Sequence, residues 1–167
     1  GSLAPEEVLV VDLEGRVVEG EGRPSTETPM HLLCYRRRPD VGGVVHAHPP
    51  FATAFAAAGV ALDAPVMPEI VLTIGTVPLV PYATPGSEEL ARSLDPWIDG
   101  HDAFLLASHG VLTVGRDVRE ALHRMERVEH LAKVTLSARL LGGPRALTDD
   151  QVVSILGGGG PKRPPAV

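Results

Sequence analysis

Eighteen glycines and sixteen prolines punctuate this chain of 167 residues, so most of its regular elements have to be short and joined by tight turns. One stretch escapes that punctuation. Behind Asp117, a residue able to cap a helix, apolar Val118, Ala121, Leu122, Met125, Val128, Leu131, Ala132 and Leu136 recur at helical spacing up to Gly142, which predicts one long amphipathic helix. Elsewhere the apolar runs are brief. Val8 to Leu13 and Arg16 to Glu19 read as a hairpin turning at Glu14 and Gly15, Gly42 to His48 as a strand, and Ala103 to Ser108 with Gly110 to Val114 as two buried strands meeting at His109. Helices are expected over Glu27 to Arg38 behind a Ser25 or Thr26 cap, over Phe51 to Ala58, from Ser87 to about Leu94, and over Thr148 to Leu156. Between Ala61 and Tyr82, four prolines leave room for a short helical or extended piece at Glu69 to Ile74 and a strand at Thr76 to Val80.

Interleaved strands and helices give an α/β class, and hairpin-length connections favour a mixed, largely antiparallel sheet covered by helices over a doubly wound parallel one. Residues 1–156 read as a single domain and residues 157–167 as a flexible Gly/Pro-rich tail. A net charge of -6 is the wrong sign for a nucleic-acid partner, and no apolar run approaches the ~20 residues needed to span a bilayer. Cys34 is the only cysteine, which excludes an internal disulfide and points to a reducing cytoplasm. No Gly-rich phosphate loop of the dinucleotide or Walker type follows a strand.

Chemistry concentrates at few positions. His46 and His48 alternate at the end of a strand, so both imidazoles project from one face while Ala47 turns the other way. They are either a surface pair or two members of a three-histidine shell of the kind that holds a catalytic zinc and leaves a position open. His109, between Ser108 and Gly110, is either an unpartnered turn histidine or the third member. Glu27 is either a carboxylate complementing a helix dipole or an acid/base, and Ser25 and Thr26 are either a plain cap or a phosphate site at a helix N-terminus. His31, His101, His123 and His130 read as non-ligands.

Several motifs in order extend this pattern over most of the chain: Pro24-Ser25-Thr26-Glu27-Thr28-Pro29-Met30-His31, Arg38-Pro39-Asp40, Val44-Val45-His46-Ala47-His48-Pro49-Pro50, Val80-Pro81-Tyr82 with Gly86-Ser87, and Ser108-His109-Gly110. Together they resemble the class II aldolase/adducin family, and bacterial proteins of the fuculose-phosphate aldolase type in particular. The resemblance implies a three-layer αβα domain around a largely antiparallel sheet, a Zn2+-type ion (or Mn2+ or Co2+) on His46, His48 and His109, Glu27 as the catalytic carboxylate, and Ser25 and Thr26 on substrate phosphate. It also implies a homotetramer with active sites at subunit interfaces.

The chemistry implied is cleavage of a short-chain ketose 1-phosphate to dihydroxyacetone phosphate and an aldehyde. The metal stabilises the enediolate, and Glu27 moves the proton at its carbon. Two departures stand out. Glu69, in Pro68-Glu69-Ile70, occupies the place of the family's tyrosine acid/base lent by a neighbouring subunit, and the N-terminal helix and Gly-Asn-x-Ser loop of the family are expected to be absent from the chain as given. A 4-epimerase, a decarboxylase or a dehydratase on the same scaffold are the alternatives, and a non-catalytic adducin-like domain, which needs no triad, is a further one.

Overall fold

The structure, a computed structural model, describes residues 4–157; residues 158–167, nearly all of the expected tail, lie outside them. Two short strands, β1 (Val10–Val11) and β2 (Val17–Glu19), pair antiparallel as the expected hairpin, and the Asp12 carboxylate closes the turn by accepting the N–H groups of Glu14 and Arg16. The remaining elements follow as α1 (Thr28–Arg37), β3 (Gly43–Ala47), α2 (Pro50–Ala57), α3 (Pro68–Thr73), β4 (Leu79–Val80), α4 (Glu88–Ser93), β5 (Ala103–Leu106), β6 (Gly110–Gly115), α5 (Val118–Leu140) and α6 (Asp149–Ile155).

The main sheet has the order β3-β6-β5-β4, with β3/β6 and β5/β6 antiparallel and β4/β5 parallel. Period-two alternation sorts its side chains into two cores. Ala103, Leu105 and Val111 face α2, α3 and α5, whose Phe55, Ile70, Met125 and Leu131 cover them. Val44, Phe104, Leu106, Leu112 and Val114 face α1 and α4, which contribute Met30, Cys34 and Leu90. Helices on both faces make three layers, the mixed, largely antiparallel architecture that the sequence leads one to expect.

Caps are where local chemistry places them: Ser87 accepts from Leu90 N–H, Asp117 from Glu120 N–H, and Thr148 with Gln151 forms a capping box. Three expectations shift. Glu27, already in helical conformation, is the N-cap of α1, because Ser25 Oγ accepts the Glu27 N–H in a turn ahead of the helix. β4 is shorter than Thr76–Val80, since Val77 bridges Leu62 instead, leaving Leu79 and Val80 between two prolines. On α5, Val118, Leu122 and Leu136 are exposed; the buried stripe is Ala121, Met125, Val128, Leu131, Ala132 and Thr135, the side that the sheet and α2 cover. Among the described residues no helix is long and apolar enough to cross a membrane.

Candidate metal centre

The β3–β6 ladder pairs His46 with Leu112 and Ala47 with Val111, so β3 delivers His46 to the α1 face and ends just before His48. On the neighbouring strand, the β5–β6 connection is a tight turn in which His109 N–H bonds to Leu106 O at 3.0 Å and Ser108 takes a positive φ of 54°. The turn thereby returns His109 towards the end of β3. Gly110 allows the approach: a Cβ there would fall 2.4 Å from His48 Cδ2 and 2.7 Å from the Ala47 carbonyl oxygen. The ring centroids of His46, His48 and His109 are 4.7 to 5.1 Å apart. One nitrogen from each lies within 4.8 Å of the others.

Protonation is set by burial and by one carbonyl. His46 Nδ1 is 2.9 Å from Val111 O, an acceptor only, so that nitrogen carries the proton and Nε2 keeps its lone pair. Burial, with smaller contributions from the neighbouring imidazoles, pushes the His46 pKa down to about 4. Burial lowers that of His109 too, against the pull of Glu27. His46 Nε2, His109 Nδ1 and Glu27 Oε2 are all buried without a hydrogen-bond partner among the described residues. Orphaned buried polar atoms of this kind, two of them on imidazoles held neutral, fit a divalent transition metal.

Glu27 joins this group, its Oε1 3.9 Å from His109 Nε2. Ser25 and Thr26 are exposed beside it, Thr26 packed under Gly86, and both line a cleft of about 570 Å³ with Gly86, Arg36 and Arg92. Glu69 is not brought to the imidazoles; it lies exposed in the first turn of α3. His123 and His130 are exposed on α5, and His101 is a core residue whose Nδ1 meets Trp97 O. His31, read from the sequence as a non-ligand, lies outside the three-imidazole group but near it. It is half-buried one helical turn after Glu27 and interacts electrostatically with Glu27 and His46, a neighbourhood that the i, i+4 spacing signals.

Residues 1–136 match the family model described as Class II Aldolase and Adducin N-terminal domain. The chain belongs to this family. A class II aldolase relative, 5-deoxy-D-ribulose 1-phosphate aldolase of Bacillus thuringiensis, is 33% identical over 152 residues, 90% of this chain and 70% of the relative. The 3-oxo-tetronate 4-phosphate decarboxylase of Escherichia coli is 37% identical over 139 residues, 80% of this chain and 65% of that protein. Among solved structures, an L-fuculose 1-phosphate aldolase superimposes with a TM-score of 0.84 at 35% identity, over 92% of this chain and 72% of its own. The chain thus spans 65 to 72% of the length of these class II aldolase-family proteins.

Proposed function

We propose that this chain is a divalent-metal-dependent aldolase that cleaves a short-chain ketose 1-phosphate of the fuculose or ribulose type to dihydroxyacetone phosphate and an aldehyde. The observation that carries the reading is the convergence of three imidazoles, with Glu27 beside them, in which His46 Nε2, His109 Nδ1 and Glu27 Oε2 are buried without a hydrogen-bond partner among the described residues. His46, His48 and His109 would hold a Zn2+-type ion, Mn2+ and Co2+ being the other candidates, and a three-imidazole set leaves room for substrate. Bound there, the ion would supply Lewis-acid stabilisation of charge developing on substrate oxygens.

Glu27, beside His109, would remove and return the proton at the carbon next to the ketone. Ser25 and Thr26, exposed at the mouth of the cleft, would donate hydroxyls to the phosphate. Glu69, exposed on α3, would act as second acid/base at the site of a neighbouring subunit, within a homotetramer whose sites lie at its interfaces. The lone cysteine suits the reducing cytoplasm.

A second reading has one observation behind it, the decarboxylase relative at 37% identity. Loss of CO2 from a 3-oxo acid phosphate also leaves negative charge beside a ketone, so the same groups would serve. Elemental analysis and NMR of deuterium exchange into dihydroxyacetone phosphate test the proposal. The expected result is about one divalent ion per chain and metal-dependent exchange. Metal without exchange, together with CO2 release from 3-oxo-tetronate 4-phosphate, moves the assignment to decarboxylation, and a chain without metal-binding capacity overturns both.

A further inference from the structure

The three imidazoles are not held alike. His46 is fixed by its own hydrogen bond to Val111, and His109 is largely buried on its tight turn with Nε2 3.9 Å from Glu27 Oε1, whereas the exposed His48 ring has no hydrogen bond among the described residues. Its place is set through the backbone. His48 precedes Pro49, which confines it to extended conformations, and Pro49 and Pro50 lead straight into α2. That helix has no cap of its own, because Pro49 at the N-cap offers no side-chain acceptor and Pro50 has no N–H.

The acceptor comes from α5. Phe51 N–H donates to Glu129 Oε1 at 3.0 Å and Ala52 N–H to Glu129 Oε2 at 2.8 Å, so one carboxylate satisfies two adjacent amides of the first turn. Lys133, one turn further along α5, lies 5.6 Å from the centre of the Phe51 ring and covers the same junction. With α2 pinned at its first turn, two prolines transmit that position to His48 with few free torsions.

We propose that Glu129 is a positioning residue of the metal centre: by capping α2 from α5 it holds the Pro49–Pro50 link, and with it the ring of His48, in place for coordination. The proposal rests on the reading of His46, His48 and His109 as metal ligands. A cap that serves stability alone would lower the melting temperature and leave metal binding untouched.

The test titrates the full chain with Co2+ and follows its visible absorption, comparing wild type, Glu129→Ala, Glu129→Gln and Val128→Ala. Val128 is buried in the same α2–α5 layer without a polar contact to α2, so Val128→Ala controls for lost stability. Glu129→Ala is expected to weaken Co2+ binding about 10- to 100-fold and to alter the band shape, with Glu129→Gln between it and wild type. Val128→Ala is expected to lower the melting temperature and keep wild-type affinity and spectrum. Unchanged Co2+ affinity and spectrum in both Glu129 variants overturn the proposal, and if Glu129→Ala does not fold, the Glu129→Gln titration decides alone. Wild type that binds no Co2+ overturns the ligand reading, and this inference with it.

Discussion

Glu27 and Glu69 each sit at the start of a helix, yet the fold gives them opposite surroundings. Glu27 has one carboxylate oxygen buried without a partner among the described residues and the other beside His109, whereas Glu69 is exposed on α3. The proposed roles separate accordingly. Glu27→Gln should retain metal and lose turnover about 10²–10⁴-fold, including proton exchange into dihydroxyacetone phosphate, as measured by steady-state kinetics and NMR. Glu69→Gln should lower aldehyde-dependent turnover while sparing that exchange; equal loss in both assays would point to a structural effect instead. His46→Ala removes a proposed ligand near the end of a strand, at the margin of the core. It should abolish stoichiometric metal binding by elemental analysis and leave the circular dichroism spectrum close to wild type.

At the scale of elements, α1 starts at its N-cap Glu27, the proposed acid/base, and packs by Met30 and Cys34 into the core that holds Val44 and Val114. Burial pushes the Cys34 thiol from 9.0 up to about 12, with the Arg38 charge pulling the other way. The folded chain therefore keeps a proton that the unfolded chain releases. The stability tied to it is whole below about pH 9 and is lost as the pH rises towards about 12. Native protein near pH 8 should accordingly resist a thiol reagent and label fully only after denaturation; fast native labelling would show that α1 lifts from the sheet.

Features governed by neighbouring residues were legible in the sequence. The caps at Ser87 and Asp117 and the pairing of His46 with His48 across Ala47 are of this kind. Choices made by distant contacts were not. The sheet and α2 select which apolar face of α5 is buried and leave Leu122 outside, and the capping of α2 by Glu129 joins residues 77 and 78 positions apart.

For the whole molecule, three layers bury two cores and still leave Val10, Val17 and Val18 on the hairpin and Leu72 on α3 exposed. Scattered apolar exposure is ordinary and occurs on α5 as well; in the proposed homotetramer, Leu72 and the hairpin valines would be covered at interfaces near Glu69. Sedimentation should show a four-chain species whose dissociation on dilution lowers turnover. A fully active monomer would remove the intersubunit role given to Glu69. The β3–β6 ladder has a kinetic consequence as well. His46 and the Val111 carbonyl that orients it are 65 positions apart, so a long loop must close before the imidazoles meet. A metal held by the proposed ligands would then be a late arrival that locks a finished fold rather than a seed that starts one, so saturating metal should slow unfolding and leave the refolding rate unchanged.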